Sequence, residues 1–518
     1  MRQILRVTRM LLVAAACSTT AWAGALVQVT GASPFTGCTA DDVGGQPGTN
    51  YLHSEVEPWI VVNPKNPSHI VGGWQQDRWS NGGSRGHVAG VSFDGGLTWA
   101  RVVVPGITLC SGGSAGNGGD FKRATDPWLT FARNGELYFF SLALDIETPP
   151  DRPGGNGKNA MFVSKSTDGG LTWGDPIKIA EDTLPRFLND KNAITADPGD
   201  ANYVYAVWDR LKDSLGSVIN PEKVFGLGYQ GPAYFARTTD GGQSWEPARA
   251  IYNPAANNQT IGNQIVVLPD GTLLDFFNEI LNFRNDDGGA HFDFNLAFVR
   301  SPDKGASWTR GPAFRAAKMQ SMALLRTFGV IDPDTGDGLR TADLLPAVTV
   351  DRNSGTLYAV WQDARFSNFS YDEIAFAMST DGGFTWTAPI KINQTPTNVP
   401  PGNRQAFTPS VHVAGDGTVG VTYYDFRNNT TDPTTLPTDY FLVRCQPSVT
   451  VSCATTADWD HETRLTDASF DMRKAPVARG FFLGDYEGLG SAVNAFVAFF
   501  SMPHGADPAS VFFRRVGP

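Results

Sequence analysis

The sequence is short of several things that common activities need. Its five cysteines form no CxxC pair, and its seven histidines show no ligand spacing, so a zinc site has little to build on. There is no G-x-S-x-G, no phosphate-binding glycine loop and no dinucleotide fingerprint, which argues against serine hydrolases, nucleotide hydrolases and nicotinamide enzymes. Positive charge is also scarce. Lys and Arg number 41 against 52 Asp and Glu, for a net charge of −11, so nucleic acid is not an expected partner. After the first twenty or so residues, no apolar run is long enough to be a membrane helix. No cofactor is implied.

Turn formers and aromatics are plentiful instead. The 518 residues include 56 Gly, 34 Pro, 33 Phe and 13 Trp, and only 18 % are charged, the composition of a turn-rich all-β protein. The N-terminus reads as a secretory signal over residues 1–23. Arg2, Arg6 and Arg9 precede a short apolar stretch, Leu11 to Cys17, and Ala21-Trp22-Ala23 offers a cleavage site. Residues 24–518 are then expected to fold as a single domain, exported to the periplasm or the outside, without a lipid anchor and as a monomer. Four cysteines remain after cleavage. An even number in an exported chain favours disulfides, with Cys445–Cys453 as the local pair and Cys38–Cys110 as the other.

Length alone suggests three or four domains at about 150 residues each, but an internal repeat overrules that prior. The segments SFDGGLTW, STDGGLTW, TTDGGQSW, SPDKGASW and STDGGFTW share the pattern [S/T]-x-D-x-G-x-[S/T]-W, with the Asp at 94, 168, 240, 303 and 381. Each piece has a structural use. The carboxylate can accept bonds from the N–H groups of its own turn, glycine takes the positive φ, and tryptophan buries a large ring. Strand-like runs flank every copy, so each unit reads as four short strands with the repeat as the third turn. At about 72 residues per unit, the chain holds seven. The last unit lacks a strand, which ALVQVTG near the N-terminus would supply by pairing with the C-terminus.

The repeat resembles the Asp-box, or BNR, motif of the sialidase-like β-propellers. The resemblance implies an all-β propeller of four-stranded antiparallel blades. Seven blades follow from the spacing, and six, the number in the sialidases it most resembles, is the alternative. It also implies a glycoside hydrolase that removes terminal acidic sugars such as sialic acid from a glycan, with its site on the rim opposite the boxes. A non-catalytic glycan- or protein-binding propeller and a polysaccharide lyase are the other readings. Sialidase chemistry needs arginines for the sugar carboxylate, a tyrosine nucleophile and an acid/base aspartate. The family's early Arg motif, F/Y-R-I/L-P, is absent.

The expected rim carries the starts of the first strands and the ends of the second. Asp126, Glu279 and Tyr486 are the catalytic candidates there. Arg78, Arg123, Arg186, Arg340, Asp363, Arg365, Asp425, Arg427 and Asp485 are the candidate substrate contacts, although the repeated Asp/Arg pairs would serve equally as ties between blades. Glu57 is an alternative partner for Tyr486. Asp332, Asp334 and Asp337 in DPDTGDG are spaced almost as a calcium loop, with the third Asp one residue late.

Overall fold

The computed structural model describes residues 23–41, 48–147, 155–184, 186–213, 229–284 and 290–517. The expected signal segment thus lies outside the described residues, apart from Ala23. Among the described residues the only helical segments are short 3-10 turns, and no helix is long and apolar enough to cross a membrane.

Among the described residues the longer strands fall into seven antiparallel four-stranded units, the first two joined into one eight-stranded sheet by the pairing Ser84↔Ala124, with a separate two-stranded ribbon at Val330–Ile331 and Gly338–Leu339. The first comprises Glu55–Asn63, Asn66–Arg78, Ser84–Ser92 and Ala100–Val103, and the second Arg123–Phe131, Leu137–Glu147, Gly155–Ser166 and Ile177–Asp182. The third is Phe187–Ala196, Val204–Asp213, Ala233–Thr238 and Arg249–Tyr252, and the fourth Gln259–Val267, Leu273–Arg284, Ala290–Ser301 and Phe314–Met319. The fifth is Ala347–Val350, Leu357–Asp363, Glu373–Ser379 and Ile390–Lys391, and the sixth Ala406–Val413, Val419–Asp425, Pro437–Cys445 and His461–Arg464. The last takes Gly488–Ala492, Ala495–His504 and Asp507–Val516 from the C-terminus and Val27–Gln28 from the N-terminus, in the register Val27↔Phe513. An all-β fold of such sheets is consistent with a propeller.

The first strand of every unit lines one cavity of about 550 Å³, whose wall runs through Val61, Leu129, Ile194, Val266, Val350, Val413 and Gly490. Apolar side chains fill the spaces between units, as where Trp128 and Phe140 pack with Val207, Trp208 and Ile265. Each such fully buried side chain contributes about 1.5–3 kcal/mol.

The five repeat turns fold alike. Asp94 Oδ1 accepts from the N–H groups of Leu97 and Thr98 at 3.0 Å, and Oδ2 accepts from the Thr98 hydroxyl at 2.6 Å. Asp168, Asp240, Asp303 and Asp381 repeat the hydroxyl bond at the same distance. Bonds from Thr98 and Ser244 hold the Asp94 and Asp240 carboxyls down to about 2.

The turns also lock neighbouring units, which the sequence pattern does not reveal. The glycine two residues after each repeat Asp abuts a side chain of the preceding unit: Gly170 meets Val91, Gly242 meets Tyr138, Gly305 meets Phe235, Gly383 meets Phe298, and Gly96 meets Phe513 of the last unit. At Gly96 φ is +96°, and a Cβ would sit 2.1 Å from the Phe513 ring, so no other residue fits.

Two disulfides join Cys38 to Cys110 and Cys445 to Cys453. The DPDTGDG loop holds a side chain in place of an ion: Arg473 donates to Asp332 at 2.6 and 2.9 Å and to Asp334 at 3.1 Å.

Candidate functional site

Five of the seven first strands share an irregularity that builds the site. Register slips occur between Val56 and Trp59, Thr125 and Trp128, Asp190 and Ala193, Ile261 and Gln264, and Phe407 and Ser410. Each is a bulge containing one residue of positive φ: Glu57 (54°), Asp126 (54°), Lys191 (47°), Gly262 (74°) and Thr408 (49°). A bulge re-aims a side chain, and a non-glycine residue in this region costs about 1–3 kcal/mol, which surrounding contacts must offset. Four of the five accept that cost. Three of those four are charged, and their side chains meet.

Lys191 is the hub. Its Nζ lies 2.5 Å from Asp485 Oδ2, 3.4 Å from Asp126 Oδ1 and 3.9 Å from Glu57 Oε1. Its N–H is shared between Asp126 Oδ2 at 3.1 Å and Asp190 Oδ1 at 3.0 Å. Arg340 forks onto Asp485, with Nε 3.0 Å from Oδ1 and Nη2 bonded to Oδ2. Arg78 reaches Gln75 Oε1 at 3.0 Å, and the amide of Gln75 donates to Glu57. Asp209 sits opposite Asp190 in the ladder. The cluster therefore sets five carboxyl groups (Glu57, Asp126, Asp190, Asp209, Asp485) against three cations (Arg78, Lys191, Arg340), drawn from the first three units and from the segments around Arg340 and Asp485.

Too few cations are present to keep every carboxyl ionised, and the environments divide them. Burial, reinforced by the charge of Asp126, pushes the Glu57 carboxyl well above its usual range. Burial also raises Asp190 to about 6, and it raises Asp209 well above the ordinary value. For Asp126 and Asp485 burial acts in the same direction but is outweighed, by Lys191 at Asp126 and by Arg340 and Lys191 at Asp485, so both are held low. Glu57 and Asp126 act on each other through charge and share one cation, Lys191 Nζ at 3.9 and 3.4 Å. Lys191 stays charged because Asp126 and Asp485 outweigh its burial, whereas burial lowers Arg78 to about 10.

Three aromatic rings wall the cluster. Trp59 and Trp128 stack with centroids 3.5 Å apart, and Tyr486 meets Trp128 edge-on at 5.2 Å. Beside them is a small cavity of about 50 Å³ bordered by Trp59, Trp128, Lys191, Asp485 and Tyr486, room for one or two waters.

Of the residues expected from sequence, Asp126, Tyr486, Arg78, Arg340 and Asp485 come together here. Tyr486 is not poised as a nucleophile: its hydroxyl donates to the Pro127 carbonyl at 2.9 Å, and burial next to Glu57 and Asp126 drives its pKa well up. Glu279 is elsewhere. It lies in a cleft between the third and fourth units, where it accepts from the Tyr252 hydroxyl and from Arg315 Nε at 2.6 Å. Arg123 is buried under Trp79 and donates to Asn81 at 2.7 Å and to Gly82 O at 2.8 Å, which ties loops together. Arg186 is exposed beside the Phe187 ring.

The repeated Asp/Arg pairs are local. Arg365 Nε bonds Asp363 two residues away at 2.7 Å and reaches the Lys318 carbonyl of the preceding unit. Arg427 bonds Asp425 at 2.8 Å and Glu462 of its own unit at 2.5 Å. Neither pair contacts the central cluster. Glu57 and Lys191 are the residues that sequence reasoning undervalued. The signal was present: Glu57-Pro58-Trp59 and Asp126-Pro127-Trp128 are the same tripeptide pattern at the same place in adjacent units.

No family model and no curated protein matches the chain. Similar solved structures include a protein of unknown function from Dyadobacter fermentans, 13 % identical over 91 % of this chain and 97 % of that one, with a TM-score of 0.44. An α-L-arabinanase from Penicillium chrysogenum is 14 % identical over 78 % and 94 %, with a TM-score of 0.45. The intramolecular trans-sialidase from Ruminococcus gnavus is 11 % identical over 90 % and 95 %, with a TM-score of 0.42. The chain is similar to these structures at the level of overall chain course, and no residue role is carried across from them.

Proposed function

We propose that the seven units are the blades of one propeller ring, closed by the pairing of the two termini, and that the protein is an exported glycoside hydrolase acting on a terminal acidic sugar at the central cluster. One observation carries this reading. A carboxyl that burial holds protonated, Glu57, and a carboxylate that stays ionised, Asp126, share the cation Lys191 at 3.9 and 3.4 Å, beside an Asp485 that is gripped by Lys191 and Arg340. In the proposed reaction the sugar carboxylate takes the place of Asp485 on Lys191 and Arg340. Glu57 gives its proton to the leaving oxygen as the glycosidic C–O bond breaks. Asp126 stabilises the positive charge that develops on the sugar. Water then adds its hydroxyl to the anomeric carbon, and its proton returns to the carboxyl pair. Tyr486 supplies an apolar wall.

The second reading is a non-catalytic propeller, and the narrow cavity favours it. At about 50 Å³ the cavity admits a carboxylate but no pyranose ring, and Lys191 and Arg340 already face Asp485. A panel of fluorogenic acidic and neutral glycosides, sialosides included, separates the two. Turnover of acidic members only, abolished in Glu57→Gln, supports the hydrolase. A folded protein that turns over none supports the binding reading. An unsaturated product absorbing in the ultraviolet would instead reveal a lyase.

A further inference from the structure

The cleft that holds Glu279 is well built for a ligand and takes no part in the proposed reaction. It is open, about 780 Å³ in volume, and lies between the outer strand Arg249–Tyr252 of the third unit and the repeat turn of the fourth. At its base Glu279 is 1 % exposed, and its two oxygens accept from the Tyr252 hydroxyl and from Arg315 Nε. This arrangement fixes the guanidinium of Arg315 by one edge only. The Arg315 side chain is 47 % exposed, and its two terminal nitrogens have no partner among the described residues. Arg310, exposed on the same wall, makes no ion pair or hydrogen bond with any described residue. Arg249 adds a third positive group, shared with Glu246 at 3.3 Å. The Trp308 and Tyr252 rings form apolar surface beside these cations.

A second, independent feature marks the opposite wall. The loop following Tyr252 lines this wall through Pro254, Ala255 and Asn258, and Ala255 holds a positive φ of 75°, strain of a kind that clusters at ligand clamps. In an acidic protein, a cleft with one guanidinium outside any ion pair among the described residues, Arg310, and a second whose terminal nitrogens face the opening, Arg315, selects an anion. Planar forks match a carboxylate, and aromatic faces match the C–H face of a sugar ring.

We propose that this cleft binds a carboxylate-bearing saccharide, with Arg310 and Arg315 gripping the carboxylate and Trp308 and Tyr252 contacting the ring. It is a binding site separate from the central cluster, and it stands whether or not that cluster is catalytic. The test is calorimetric titration of the intact protein with trigalacturonate, its methyl ester and inorganic sulfate. Trigalacturonate should bind, the methyl ester should bind at least tenfold more weakly, and Arg310→Ala and Arg315→Gln should each weaken trigalacturonate at least tenfold. Glu57→Gln should leave this binding unchanged. Arg310→Ala removes an exposed side chain without internal partners, so it reports on the cleft even if Arg315→Gln unfolds the protein by stranding Glu279. Failure of trigalacturonate to bind at millimolar concentration, unchanged binding in Arg310→Ala, or sulfate binding as tightly as the saccharide would each overturn the proposal, the last by reducing the cleft to a simple anion site.

Discussion

Lys191 Nζ lies 2.5 Å from Asp485 Oδ2, although 294 positions separate the two residues in the chain. The contact brings the third unit against the segment that leads into the last. It also neutralises an ammonium group that is 9 % exposed and surrounded by Asp126, Asp190 and Glu57. Removing one member of a buried ion network leaves the rest uncompensated, at a cost of about 3–5 kcal/mol. Lys191→Met is therefore expected to lower the unfolding free energy by about that amount. Denaturant unfolding checks this, and a change below about 1 kcal/mol would mean that the cluster is open to solvent.

Gly96 and Phe513 offer a test of how the ends of the chain meet. Gly96→Ala forces an L side chain into φ +96° and against the Phe513 ring. The expected loss is roughly 1–3 kcal/mol from backbone strain alone, with more from the clash. Phe513→Ala in the same chain should recover the clash component and leave the strain. Strict additivity in the double-mutant cycle would show that the two residues do not touch.

Asp275 is fully buried, and neither carboxyl oxygen has a hydrogen-bond partner among the described residues. Burial alone raises its pKa well above the ordinary carboxyl value. A raised folded-state pKa means that the group costs nothing below the unfolded pKa, near 4, and that stability is lost as pH climbs from there toward the folded value. Asp275→Asn should thus be more stable than the parent at pH 7, by about 1–3 kcal/mol, with the difference vanishing near pH 3. Thermal melts of both proteins across that range provide the check, and a variant less stable at pH 7 would show that the carboxylate has an anchor.

Tyr486 separates two chemistries. If the ring is only a wall, Tyr486→Phe loses one bond to the Pro127 carbonyl, about 0.5–1.5 kcal/mol of stability, and keeps kcat within threefold. A loss of a thousandfold or more would restore it as the nucleophile.

Much of the architecture was legible in the sequence because local chemistry fixes it. The five Asp turns, the strand runs around them and the Cys445–Cys453 pair each follow from residues close together in the chain, and Cys38–Cys110 is the pair that remains. The meeting of charged first-strand residues has a trace in the sequence too, since Glu57, Asp126 and Lys191 stand at matching places in successive units. The choice among its carboxylates was not. Glu279 and Glu57 look alike in sequence, but Glu57 lies in a bulge of a first strand while Glu279 lies in a regular second strand, where it turns toward Tyr252. Pairwise competition was also hidden. Asp363 and Asp425 are taken by an arginine two residues on, and Arg123 by backbone carbonyls, so charge alone overstated their freedom. The repeat Asp residues were read correctly as turn builders, but the pattern gives no hint that the adjacent glycines clamp the preceding unit.

The decisive measurement is the pH dependence of acidic-glycoside hydrolysis by the protein, alongside Glu57→Gln and Asp126→Asn. A protonated Glu57 acting with an ionised Asp126 requires a bell-shaped profile in the parent, rising as Asp126 loses its proton and falling as Glu57 loses its own. Glu57→Gln should lower kcat by at least a hundredfold and abolish the alkaline limb, and Asp126→Asn should abolish the acid limb. Hydrolysis that survives both substitutions with an unchanged profile would contradict the assignment and place the chemistry outside the central cluster.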